Sequence, residues 1–318
     1  MERDRRGQRI VVLGGGGFLG SHVSERLVAE GAAVVAVDSW VTGRERNLEP
    51  IEGPGTLEVV TADAAEVEVE GPVTAILHLA SPASPPDYLR FPTETLRAGS
   101  VATLHAIDLA HAHSARLLFA STSEVYGDPA VHPQPETYTG NVDPTGPRAV
   151  YDEAKRFGEA AVAAAGRDGR VDAAIVRIFN TVGPRMRPDD GRMVPAFVAE
   201  LLDTATVTIH GDGHQTRSVA DVDDTVEGLL LALDAPVRGP INIGNPDEHT
   251  VLEVAGWVGE ALGVDVARRF APAMAGDPVR RCPDISLATQ LLGWRPRVTA
   301  RDAVVRAARW LAAERVAP

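Results

Sequence analysis

Arg9-Ile10-Val11-Val12-Leu13-Gly14-Gly15-Gly16-Gly17-Phe18-Leu19-Gly20-Ser21-His22 is the stretch on which the fold turns. A short apolar run gives way to glycines, and a helical pattern through Val23, Leu27 and Val28 follows at once. Strand, glycine turn and helix in that order form a nucleotide-binding βα unit. Glycines at 14, 17 and 20 permit a tight turn, close backbone approach to a pyrophosphate, and tight packing of a helix whose N-terminus attracts phosphate. A glycine-rich run can also be a plain flexible loop, but its place between strand and helix argues against that.

Working outward, the helix ends near Gly31, and the next apolar run, Ala33 to Val37, stops at Asp38. A carboxylate at the end of the second strand, about 20 residues past the glycines, is placed to accept hydrogen bonds from an adenosine ribose. Its charge repels a 2′-phosphate, so NAD is expected over NADP, a preference that Arg44 and Arg46 weaken slightly. Phe18 and Leu19 of the turn, with Ser39, Thr42, Gly43, Asp63, Leu79, Ala80 and Ser81 near the following strand ends, and Tyr151 and Lys155 farther on, complete the expected cofactor set.

Further apolar runs at Leu57 to Val60, Ala75 to Leu79, Arg116 to Ala120 and Ala173 to Phe179 alternate with helical stretches at Thr95 to Ala110 and Tyr151 to Ala165. That alternation predicts a doubly wound parallel α/β sheet of the Rossmann type over residues 1–180, with a return near 217–243. From about Thr181 proline and glycine rise, arginines gather and the elements shorten, so residues 181–318 read as a smaller C-terminal substrate domain facing the first across a cleft.

Composition bounds the function. The 318 residues are 44% apolar and 24% charged, which suits one large or two ordinary cores and a soluble globular protein. The start of the chain reads as neither signal peptide nor membrane span, so a cytoplasmic location is expected. A formal charge of −13 argues against nucleic acid or an anionic membrane as partner. With Cys282 as the single cysteine there is no intramolecular disulfide, and His111 and His113 read as solvated or capping residues, so no metal site is expected.

Of the 31 lysines and arginines only Lys155 is a lysine, and it stands four residues after Tyr151. Elsewhere arginine serves as the cation, so this position is one that calls for a compact ammonium rather than a wide guanidinium fork. Positions i and i+4 share a helix face. An ammonium there stabilises tyrosinate and draws the phenol down from about 10, which makes Tyr151 a candidate base. Survival of one lysine by chance under a strong arginine bias is the plain alternative.

Ser121-Thr122-Ser123-Glu124-Val125-Tyr126-Gly127 follows the strand that ends at Ala120 and so lies at the carboxyl edge of the sheet. A hydroxyl there, with Tyr-x-x-x-Lys about 30 residues later, resembles the extended short-chain dehydrogenase/reductases, the NAD-dependent epimerase/dehydratase group that modifies sugar nucleotides. Within it the chain is most similar to the UDP-glucuronate decarboxylase (UDP-xylose synthase) family. The resemblance spans nearly the whole chain through His78-Leu79-Ala80-Ser81-Pro82-Ala83-Ser84-Pro85-Pro86 with Tyr88, Ser121 to Pro129, Gly146-Pro147-Arg148-Ala149, Arg177 to Thr181, Gly183 to Met186, Gln215-Thr216-Arg217, Gly244-Asn245-Pro246 and Pro283-Asp284-Ile285.

That resemblance implies a catalytic set of Thr122, Ser123, Glu124, Tyr151, Lys155 and Arg217. It also implies a substrate-binding set of Ser84, Tyr88, Asn180, Arg185, Arg192, His210, Arg217 and Arg281; Arg280 is left open. Sugar-nucleotide 4,6-dehydratases carry Thr-Asp-Glu, whose aspartic acid protonates a departing C6 hydroxyl. Ser123 in its place is a poor general acid. The implied chemistry is oxidation of UDP-glucuronate at C4 with tightly bound NAD, loss of carbon dioxide from the β-keto acid, and hydride return to give UDP-xylose. Arg217 is expected near the carboxylate, with a plain diphosphate clamp as the alternative, and Asn180 could instead be a strand-end cap.

Departures accompany the likeness. Leu13 stands where the family has Thr, Gly99 where it has Asn, and His210 where it often has Tyr. Val219 and Asp221 replace two aromatics close to Arg217, which suggests some escape of a UDP-4-keto-pentose. Competing readings are a UDP-uronate or UDP-hexose 4-epimerase that uses the same Tyr151 and Lys155, and a non-catalytic NAD-binding regulator. The helices at 95–110 and 151–165 resemble those that build a homodimer in this group.

Overall fold

Alternation along the first strand feeds two faces of one sheet. In the computed structural model, which describes residues 3–273 and 280–316, β1 (Arg9–Leu13) sends Ile10 and Val12 into one core and Val11 and Leu13 into the other. In chain order there follow β2 (Ala33–Asp38), β3 (Thr56–Thr61), β4 (Ala75–His78), β5 (Arg116–Thr122), β6 (Ala173–Ile178) and β7 (Thr181–Val182). Next come β8 (Thr206–His210), β9 (Thr216–Ser218), β10 (Ala220–Asp221), β11 (Pro240–Ile243), β12 (Glu248–Thr250), β13 (Ala267–Ala271) and β14 (Arg280–Arg281). The helices are α1 (Phe18–Ala29), α2 (Pro85–Arg90), α3 (Pro92–Gly99), α4 (Val101–His113), α5 (Ala149–Arg167), α6 (Met193–Thr204), α7 (Val222–Asp234), α8 (Val251–Leu262), α9 (Ser286–Leu292) and α10 (Ala300–Val316).

The main sheet runs β11-β6-β5-β4-β1-β2-β3 and every pairing in it is parallel. Strand order reverses between β4 and β1, which opens a crevice at the carboxyl ends of β1, β4 and β5. One face is covered by α1, α7 and α9 through Val23, Leu27, Val226, Leu229 and Ala288. The other is covered by α4 and α5 through Ala106, Ile107 and Val162. A third core gathers α6, α8 and α10 around β8, with Phe197, Val207, Val258 and Leu311 at its centre.

The single helix expected from Thr95 to Ala110 is broken: α3 stops at Gly99 and α4 starts at Val101, with Ser100 at φ −110° and ψ −77°. The cause lies in a neighbour distant in sequence. A β-carbon on Gly99 would stand 2.6 Å from both Cβ and O of Ala154, so α3 meets the backbone of α5 directly. The same approach explains why a glycine occupies this position, since an asparagine side chain would have no room here.

Around the third core the small sheets are short. β9 pairs with β12 antiparallel and with β14 parallel, which sets Arg217 beside Arg281 and His249.

Candidate functional site

The glycine turn leaves the sheet with Gly14 and Gly15 donating to the Val37 carbonyl at 2.8 and 3.0 Å. Gly14 has φ +83°, and a β-carbon on it would lie 2.7 Å from the Ala80 nitrogen. A β-carbon on Gly20 would fall 1.9 Å from the Gly14 oxygen, so neither position admits a side chain. Gly17 caps α1 without any side-chain bond, leaving the first amides of the helix facing the crevice. Asp38 Oδ2 accepts from Gly16 N and Oδ1 from Trp40 N, both at 2.9 Å. Burial raises the Asp38 pKa, and the bonds from Trp40 and Gly16 oppose the rise. A side-chain-free helix N-terminus beside a strand-end carboxylate fits a dinucleotide.

At the end of β5, Thr122 Oγ1 accepts from the Glu124 amide at 3.2 Å and starts a tight turn at Ser123 to Tyr126. Its hydroxyl and the Tyr151 phenol line the same cavity. Tyr151 and Lys155 share one face of α5, and both are buried. The Lys155 ammonium donates to the Ala120 carbonyl at 2.8 Å and lies 5.2 Å above the Phe119 ring and 6.0 Å from the Tyr151 ring. Burial lowers Lys155 to about 8, opposed by Glu159. Burial likewise dominates at Tyr151 and pushes its phenol up, against the pull of the neighbouring Thr122 hydroxyl. The expected lowering of Tyr151 is therefore not the balance found: desolvation of the phenolate dominates, and the Glu124 and Asp152 carboxylates add to it.

Glu124 is held between two guanidinium groups. Arg148 Nη2 donates to it at 2.7 Å and Arg281 makes a close ion pair on its other oxygen. Burial acts to raise this carboxyl, but Arg281 and Arg148 overcome it and leave Glu124 below its ordinary range. Asp152, the next residue along α5 from Tyr151, goes the other way: burial and Glu124 push it up to about 7, and its Oδ1 is buried without a partner.

Thr122, Glu124, Arg148, Tyr151, Lys155 and Arg281 open on one cavity of about 460 Å³. Of the expected catalytic residues, Thr122, Ser123, Glu124, Tyr151, Lys155 and Arg217 all line it. So do the expected cofactor residues Gly14, Gly17, Phe18, Leu19, Gly20, Thr42, Leu79 and Ser81, and the substrate residues Ser84, Tyr88, Asn180, Arg185, Arg192, His210 and Arg281. Asp38, Ser39, Gly43, Ala80 and Asp63 lie outside its lining. Asp38 is engaged by the glycine turn, a β-carbon on Gly43 would touch the Asp38 carboxylate at 2.6 Å, and Asp63 accepts from Ala65 N at 2.9 Å. Arg185 has φ +67° and pairs with Glu25 at 2.9 Å; Arg192 pairs with Asp190 at 2.6 Å and sits 5.9 Å over the Phe18 ring.

Sequence reading missed four participants. Arg148 closes on Glu124, Asp152 faces that pair, and Asp87 and Arg187 line the cavity and bond each other at 3.0 Å. Arg148 was visible in Gly146-Pro147-Arg148-Ala149, but only the fold brings it to Glu124. Nothing in the local pattern marks Asp87 or Arg187.

Comparison with known proteins places this geometry. A profile of the "NAD dependent epimerase/dehydratase family" matches residues 10–244. UDP-glucuronic acid decarboxylase 1 of Danio rerio is 43% identical over 316 residues, covering 98% of this chain and 74% of the relative. UDP-glucuronic acid decarboxylase 2 of Arabidopsis thaliana is 46% identical over 299 residues, covering 94% of this chain and 67% of the relative. The solved dTDP-glucose 4,6-dehydratase DesIV of Streptomyces venezuelae, with NAD and TYD bound, superposes with a TM-score of 0.86 at 28% identity, covering 97% of this chain and 98% of that one. The glycine cradle fits NAD, and the chain belongs to the NAD dependent epimerase/dehydratase family.

Proposed function

We propose that the chain converts UDP-glucuronate to UDP-xylose and carbon dioxide. The observation that carries this reading is the Thr122-Ser123-Glu124 corner: Ser123 has no acidic proton to give a departing hydroxyl, and Glu124 is locked as a carboxylate by Arg148 and Arg281. A site so furnished cannot expel water, whereas loss of carbon dioxide needs no such acid. The identity to decarboxylases of two kingdoms supports the same choice over a 4-epimerase.

Gly14, Gly17, Gly20, Asp38 and Lys155 would hold NAD, which when bound supplies the acceptor for the C4 hydride and the donor that returns it. Tyr151, which lines the cavity with Thr122, takes the C4 hydroxyl proton. The resulting 4-ketone stands β to the C6 carboxylate, so the carbon–carbon bond breaks with its electrons passing to the ketone oxygen. One proton is then taken up at C5. Arg217 and Arg192 are read as holding the carboxylate and diphosphate, because a planar fork suits both groups. The helices of the third core are read as the substrate lobe, and some 4-keto-pentose is expected to leave early past Val219, which lines the cavity.

The working unit is read as a homodimer. Leu96, Val101, Leu104 and Phe157 of α3, α4 and α5 are 43–47% exposed, an apolar set that a second copy would cover. Proton NMR of the nucleotide after incubation with UDP-glucuronate and NAD tests the activity. UDP-xylose with released carbon dioxide is expected; a retained carboxylate with inversion at C4 would establish the epimerase instead.

A further inference from the structure

The segment from Arg185 to Arg192 rests on α2 at two points. Arg187 Nη2 donates to Asp87 Oδ1 at 3.0 Å, with both side chains largely buried. Farther along, Gly191 at φ +69° lies against Pro86, where a β-carbon would come within 2.5 Å of the proline ring. The other oxygen of Asp87 accepts from Ser84 Oγ at 2.7 Å, and Ser84 is the N-cap of α2. One carboxylate therefore fastens both the start of the helix and the segment opposite. The next residue, Tyr88, is buried and stacks on Tyr151 with ring centroids 5.3 Å apart and planes 5° from parallel.

We propose that Asp87, Arg187 and Tyr88 form one positioning device, through which docking of the 185–192 segment on α2 fixes the plane of the Tyr151 ring. The same segment carries Arg185 and Arg192, so the arginines that line the substrate cavity and the alignment of the base are mechanically joined. The pair is suited to this. Both side chains are largely buried; Arg187 also pairs with Asp189 at 3.1 Å within its own segment, so undocking leaves the Asp87 carboxylate without its cation. Tyr88 contributes its ring rather than its proton: burial pushes its phenol up to about 12, and it stays neutral. The proposal rests on the reading of Tyr151 as the base.

The test uses the NAD-loaded enzyme, Arg187→Met, Tyr88→Leu and the double variant. Two readouts are taken: single-turnover appearance of NADH on mixing with UDP-glucuronate, and calorimetric affinity for UDP alone. Each single change should slow hydride transfer by about tenfold, and the double by about tenfold rather than about a hundredfold, because both act through one route. UDP affinity should fall several-fold in Arg187→Met together with the rate, because the segment that carries Arg185 and Arg192 loses its seat. Multiplying effects, or a loss of UDP affinity with an unchanged rate, would overturn the device. Failure of the wild type to oxidise UDP-glucuronate would count against the proposed function alone. Amide exchange in the first turn of α5 then reads the device without any sugar: Arg187→Met should raise it, and an unchanged pattern would overturn the coupling.

Discussion

Lys155 is enclosed by the Ala120 carbonyl, the Phe119 ring and the Tyr151 ring, which leaves a slot for an ammonium and none for a planar fork. Lys155→Arg should therefore be nearly as damaging as Tyr151→Phe, which should abolish C4 oxidation while calorimetry finds NAD binding largely unchanged. An arginine variant with full turnover would make the lone lysine a compositional accident. Asp152 gives a pH test. Its folded value of about 7 stands above the ordinary value of about 4, so in that window the native chain holds a proton that the unfolded chain has released. Stability contributed by the protonated carboxyl is lost as pH rises through about 7. The melting temperature of Asp152→Asn relative to wild type should accordingly climb from about pH 5 to about pH 8. At this scale the sequence singled out Tyr151, Lys155 and Thr122, each in a local spacing, and the fold brings them to one cavity. It could not reveal the Arg148–Glu124–Arg281 clamp, whose members come from three remote segments.

Elements were legible where their periodicity is local. Every expected strand of the first half lies in the main sheet, because alternation and bounding glycines depend only on neighbours. The break at Ser100 was hidden, since it depends on α5 lying against Gly99. Gly99→Ala should force α3 away from Ala154 and cost about 1–3 kcal/mol in denaturant unfolding, as overpacking does. The departures near Arg217 divide in the same way. Val219 lines the cavity, whereas Asp221 is fully buried, caps α7 and bonds Arg306 at 2.7 Å. Only Val219 can loosen the substrate's surroundings. Val219→Phe should reduce any keto-pentose and accompanying NADH that accumulate under excess substrate; no change in that ratio would remove this residue from the leak.

For the molecule as a whole, no helix among the described residues is long and apolar enough to cross a membrane. The apolar strip on α3, α4 and α5 is instead the surface on which assembly can be tested. Leu104→Glu with Phe157→Glu should shift sedimentation toward the monomer at an unchanged far-ultraviolet spectrum.

The main sheet is finished late. β11, from residues 240–243, supplies its last strand, and α7 and α9 cover the face that α1 begins to cover. A nascent chain released at residue 180 would thus present β6 as a bare edge and leave half the sheet's apolar face wet, the condition that recruits other chains. Synthesis of the first half alone should yield aggregate rather than a nucleotide-binding fragment, and chaperone dependence should end only once residue 292 has left the ribosome.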